Sequence, residues 1–208
     1  MPDGYGVDFQ GRVRLTVQDR RLKLPSGQTC LPQEPACARP LESLRGEKLW
    51  LELDSSLRMA DLSAPLAALG QALKVGDTCC LAVADSKGRR CVPLRPFSGD
   101  EFSAWLDADK PLGKIRVIMR ADGLEVVTDR GKVPGPDRFG PSLPSVGTRP
   151  DFEALDTVIS RIKARFPDEP EAGLAASPSI SVAQAARVLA LLNGPGGCRF
   201  EETFLVYP

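Results

Sequence analysis

The sequence predicts an α+β protein built from two repeated units, each a small mixed β-sheet with two helices packed on one face, the pair arranged about a pseudo-twofold axis. Three observations carry this. An alternating strand, a polar turn and a short helix over residues 48–69 return as strand, polar turn and helix over 172–192. A hairpin signal opens each unit, at 11–24 and at 114–128, and an apolar strand follows each repeated helix, at 78–84 and 198–207. The chain has 208 residues, enough for two units of about 100, each able to bury a core of its own. The boundaries follow: 1–10 a disordered lead-in, 11–97 the first unit, 98–112 a helical linker, 113–208 the second unit.

Taken in order, residues 11–18 alternate with Val13, Leu15 and Val17 on one face, Asp19 and Arg20 make a tight turn, and 21–24 return with the same alternation. A proline-rich loop (Pro25, Pro32, Pro35, Pro40) leads to one helical turn at 41–44. Leu49, Leu51 and Leu53 form the inner face of the next strand, and Asp61 is the N-cap or first-turn acid of a helix whose apolar stripe is Leu62, Leu66, Leu69 and Leu73. Pro65 falls in its first turn, where a missing N–H does no harm. Residues 78–84 are a continuous apolar strand, and 89–94 return along it. Ser98 stands three residues before Glu101, a capping box that opens a helix carrying Phe102, Trp105 and Leu106. The second unit begins with a hairpin around residues 121–123. A loop with five prolines and four glycines over 131–150 takes the place of the first unit's proline-rich loop. The helix over 151–166 has Phe152, Leu155, Val158, Ile159, Ile162 and Phe166 on one face and ends at Pro167.

Composition narrows the chemistry. There are 27 basic and 27 acidic side chains, so no broad electrostatic footprint marks a nucleic-acid partner. Histidine is absent, which removes the commonest general base and metal ligand. The chain is therefore expected to be non-enzymatic, with no cofactor. No apolar run approaches the roughly 18–20 residues that cross a bilayer, and the first residues lack the pattern of a signal peptide.

None of the six cysteines has zinc-motif spacing. Cys30 and Cys37 bracket a proline-rich loop, where a disulfide would stabilise by roughly 2–3 kcal/mol. Cys80 and Cys91 flank the turn at 85–88; with residue 82 facing 91 they lie diagonally on one face, within reach of a second disulfide. Cys79, Cys80 and Cys198 also read as small buried apolar residues on core strands. Asp54 beside Ser55 and Ser56 reads as a strand-ending turn. Gly194 and Gly197 follow a helix, so they mark a helix stop and not a phosphate cradle.

Candidate partner-binding residues are Trp50, on the face opposite Leu49 and Leu51; Lys87, Arg89 and Arg90, a basic cluster at a hairpin tip that is either solvated or suited to an anionic wall polymer; and Phe204 and Tyr207 on the closing strand, which would offer a sheet edge for strand addition.

Each unit reads hairpin, helix, strand, polar turn, helix, strand. This order, together with the run over 51–57 followed by Asp61 and a leucine-rich helix, resembles the periplasmic domain of the ExbD/TolR family, bacterial partners of ion-driven inner-membrane motors. Asp54 matches the family's aspartate position; the second unit has Ser177 and Pro178 there. The resemblance implies a dimerising periplasmic domain of the cell envelope that binds a motor or envelope protein or peptidoglycan, two copies in one chain mimicking the family's homodimer. The family's power-coupling aspartate lies in a transmembrane helix, so membrane contact is expected only through a segment absent from this sequence. Two other readings compete: a cytoplasmic adaptor of the same fold, favoured by free thiols, and an enzyme with a cleft between the units, which paired carboxylates would mark.

Intact mass with and without reduction separates the locations. Protein exported to an oxidising compartment is expected to carry a Cys30–Cys37 bridge; six alkylatable thiols would favour the cytoplasmic adaptor.

Overall fold

Alternation makes the first strand, and the turn that ends it is sharp: Asp19 and Arg20 both take positive φ, 50° and 62°, as a two-residue hairpin loop following the twist of its strands requires. The computed structural model describes residues 13–73, 79–85, 88–108, 114–197 and 199–207. Its first half runs β1 (Val13–Gln18), β2 (Arg21–Lys23), β3 (Thr29–Cys30), α1 (Pro35–Glu42), β4 (Leu49–Leu53), α2 (Met59–Ala72), β5 (Cys79–Asp85) and β6 (Gly88–Phe97). After α3 (Gly99–Asp107) come β7 (Ile115–Arg120), β8 (Gly123–Thr128), β9 (Gly131–Lys132), β10 (Leu143–Pro144), α4 (Phe152–Arg165), β11 (Glu171–Ala176), α5 (Val182–Asn193), a 3₁₀ turn (Pro195–Gly197) and β12 (Glu202–Val206).

The protein is α+β, with one twelve-stranded mixed sheet in the order β10-β8-β7-β11-β12-β6-β5-β4-β1-β2-β3 and β9 paired to β8. β1, β4 and β5 are parallel neighbours, as are β7, β11 and β12. β6 turns back antiparallel to β5 and runs parallel to β12, so the two triads point in opposite directions within one sheet. Two separate small sheets are expected from the sequence; sharing β6 joins them. β12 is accordingly an interior strand, not the free edge its position as closing strand predicts. The actual edges are two-residue strands, one of them containing Pro144, which leaves little ladder to template on. Pro93 and Pro96 are tolerated inside β6 because its registered pairs with β5 end at Leu94 and those with β12 begin there, so each proline has a strand partner on one side only.

α1 is longer than the one turn expected at 41–44: Pro35 occupies its first turn, where a missing N–H is harmless, and Cys37 ties it to β3 through a disulfide to Cys30, Cα atoms 5.5 Å apart. Cys80 and Cys91 are also bonded, Cα atoms 5.2 Å apart, with Ala82 facing Cys91 in the ladder. Cys79 points the other way, a buried free thiol whose pKa burial pushes up to about 12. Cys198 lies outside the described residues.

The main core covers one face of the sheet. It joins Leu15, Leu51, Leu81, Leu94, Val117, Leu174 and Leu205 from the strands to Leu41 of α1, Leu66 of α2, Ile159 of α4 and Leu189 of α5. A smaller cluster lies on the opposite face, where Phe97 and Phe204 stack at 4.3 Å between ring centroids and Trp105 of α3 meets Phe204 edge-on. Gly173 is required beneath α3, since a Cβ there would come 2.9 Å from the Phe102 ring.

Two sets of contacts stitch the halves together. The first N–H of each central helix is satisfied from the other half: Met59 N donates to Ile180 O and Val182 N to Leu57 O, both at 2.9 Å. Arg90 of β6 is buried, 6% exposed, and donates to Ala190 O at 2.6 Å, Gly194 O at 2.9 Å and Asn193 Oδ1 at 3.1 Å. It thereby caps the C-terminus of α5, which Gly194 ends with φ 75°.

Replacing Arg90 with Met keeps the aliphatic stem and removes the donors. The expected cost is about 2–4 kcal/mol, read as a lower urea midpoint at unchanged slope.

Candidate functional site

The site follows from a mismatch in strand pairing. β4 pairs with β1 as far as Leu53 with Val17, but with β5 only at Trp50 with Cys80 and Leu51 with Leu81. β5 stays paired to β6 out to Asp85 and Gly88. Beyond Leu81 the β5–β6 ribbon therefore leaves β4, and a crevice opens between the carboxyl ends of two parallel strands, a position where open sheets commonly take ligands. In the second half, β11 and β12 stay paired over five residues.

The crevice holds about 740 Å³ and is walled by Leu53, Leu81 and Val83 on the sheet side and by Val182, Ala186 and Ala190 of α5 on the other. Alanines at these helix positions keep it open. Asp54 N donates to Val17 O at 3.0 Å. By strand alternation Leu53, one residue earlier, turns its own N–H and C=O toward β5, where the ladder has already ended.

Among the described residues, charge at the crevice is sparse. Glu52 is the carboxylate in its lining and Arg187 the guanidinium. Glu52 accepts from the Trp50 indole at 3.1 Å and pairs with Arg14, and Arg187 lies over the Phe152 ring at 4.2 Å. Nearby, Asp54 Oδ1 accepts from Ser56 N at 2.9 Å and Ser56 Oγ at 2.7 Å; those bonds hold its pKa below the usual carboxylate value. The expected strand-ending turn is what the structure has. A second groove of about 1070 Å³ runs between the loop closed by Cys30–Cys37 and the alanine-rich outer side of α2. At its end Arg20 pairs with Asp61 at 2.6 Å. Asp61 also accepts from Arg58 N at 2.9 Å, and that bond is the main reason its pKa is lowered. No group of three or more potential metal ligands occurs among the described residues.

Four of the six predicted partner-binding residues have described side chains, Trp50, Arg90, Phe204 and Tyr207, and the structure does not gather these four into one exposed patch. Trp50 is only 5% exposed, registered beside Cys80 on the face opposite the main core. Phe204 is 1% exposed, stacked under α3; both are corrections, since an alternating strand in the middle of a sheet covers its second face as well. Arg90 is a helix cap. Tyr207 is half-buried, its N–H bonded to Phe97 O at 3.1 Å, and burial raises its pKa. Lys87 and the side chain of Arg89 lie outside the described residues. The crevice residues do not stand out in the sequence because small residues on an amphipathic helix look like ordinary packing. The signal available was the length of the apolar run over 78–84 compared with the run over 49–53. No family model, curated protein or solved structure matches the chain.

Native-state hydrogen exchange checks the fork. The Leu53 amide is expected to exchange much faster than that of Leu51, two residues earlier on the same side of β4; equal protection would mean that the ladder continues.

Proposed function

We propose that this protein is a non-enzymatic binding module of the bacterial cell envelope, a tandem pair of ExbD/TolR-like periplasmic units, and that the crevice between β4 and β5 receives an extended segment of a protein partner. The observation that carries the reading is the interrupted ladder: Leu53 offers a peptide donor and acceptor at the mouth of an apolar cleft, the arrangement that strand addition uses for affinity while the walls select side chains.

Three further observations support it. Leu57, Arg58 and Met59 stand to Ile180, Ser181 and Val182 as partners in a reciprocal pair of hydrogen bonds, with Arg58 and Ser181 bridged between them; both are helix N-caps. Buried positions also correspond, Leu62 with Ala185, Leu66 with Leu189 and Leu69 with Leu192, as a tandem repeat about a pseudo-twofold axis would have them. The two disulfides suit an oxidising compartment. On this reading the partner is a motor or other envelope protein, with peptidoglycan as the alternative ligand.

Nuclear magnetic resonance titration tests it with two probes: extended peptides from the periplasmic segments of envelope motor proteins, and soluble muropeptides. Peptide binding is expected to shift Leu53, Ala82 and Ala186, and Ala186→Arg, which fills the cleft from an accessible helix face, to weaken it at least about tenfold. Shifts confined to other surfaces, or binding indifferent to Ala186→Arg, would defeat the proposal.

A further inference from the structure

Large hydrophobic side chains are well exposed at two places among the described residues, and both are on one loop: Phe139 at 89% and Val146 at 69%. That loop, residues 133–149, is built to hold its shape. Ser142 Oγ donates to Val133 O at 2.6 Å and accepts from Val126 N at 3.1 Å. The Lys132 ammonium donates to Gly140 O, and Phe139 N donates to Asp137 Oδ1 at 3.1 Å. Gly135 packs so closely that a Cβ would stand 2.2 Å from Pro141 O. Four prolines, Pro134, Pro136, Pro141 and Pro144, lower the entropy of the free loop further. The protein thus spends order on a segment whose largest apolar group faces water, the preorganised form a contact anchor takes.

We propose that this loop forms a twofold contact between two copies of the chain. Phe139 packs on the partner's Phe139, and Arg138 of each copy faces the partner's Asp137. The argument is self-complementarity. A twofold interface must be the complement of itself, and the exposed tip supplies an acid, a base and an aromatic ring in adjacent positions, the Arg138 guanidinium already resting 5.7 Å from the Phe139 ring centre. A bilayer is the poorer partner, because two apolar residues beside a carboxylate give little insertion energy and no basic cluster. Loop tips alone bury less than the roughly 1,200–2,000 Å² of standard interfaces, so the association is weak, with Kd between about 10 μM and about 1 mM. The proposal is independent of the crevice reading and stands or falls apart from it.

Sedimentation velocity of the full chain across that concentration range tests it. The expected result is reversible growth toward dimer mass, weakened at least about tenfold by Phe139→Ser and by Arg138→Asp, and weakened also by Asp137→Asn, which keeps the Oδ1 that accepts from Phe139 N and removes only the charge. All three side chains are exposed, so thermal midpoints are expected to match the parent and certify the variants as folded. A constant monomer, or an association that Phe139→Ser or Arg138→Asp leaves unchanged, overturns the proposal. Flotation with phosphatidylcholine–phosphatidylglycerol vesicles without self-association overturns it in favour of a lipid surface.

Discussion

The start of a helix leaves its first N–H groups without intrahelical partners, and in this protein the two central helices solve that problem for each other. Met59 and Val182 open α2 and α5, and each donates to a carbonyl just upstream of the other helix; Ala60 N adds a third bond to Pro178 O at 3.1 Å. Neither helix start is complete without the opposite half. Removing the Met59 and Val182 bonds would leave polar groups unpaired between buried residues, a penalty of about 1–3 kcal/mol for each. Joint folding of the halves is therefore built into the backbone, whatever the side chains contribute.

The shared strand β6 works with that junction. Because it leaves β5 in an antiparallel hairpin and then runs beside β12, it covers the edges that two separate sheets would expose, and the remaining edges are too short to recruit further strands. Its Arg90 reaches across the main core to end α5, while its opposite face carries Phe97 into the small aromatic cluster under α3. One strand thus anchors layers on both sides of the sheet. The Cys80–Cys91 bond adds a covalent tie within the same hairpin.

This arrangement has a geometric consequence at the crevice. β6 commits β5 to follow the antiparallel ribbon, while β4 is held by β1, so the two parallel neighbours separate after two registered pairs. In the second half β12 lies between β11 and β6, parallel to both, and its ladder with β11 stays closed over five registered pairs. The asymmetry between the halves, and with it the cleft walled by both, traces to the position of β6.

Much of this was legible in the residues. Alternation and turn chemistry identify both hairpins, because a two-residue loop needs few contacts beyond its own. The capping residue Ser98 marks a helix start for the same local reason, and the core-facing parity of Leu49, Leu51 and Leu53 is a property of strands wherever they pair. The diagonal placement of Cys80 and Cys91 also follows from hairpin register. What only the tertiary structure decided depends on pairs far apart in the chain. The closing strand's partner, β6, lies on the far side of the linker, so nothing local makes Phe204 interior and not edge-exposed. Trp50 is buried through neighbours that alternation does not reveal, and Arg90 is a cap only because α5 ends above it. The crevice is hardest to foresee of all, since it consists of hydrogen bonds that two adjacent strands fail to make, and a sequence encodes strands more directly than the point at which they part.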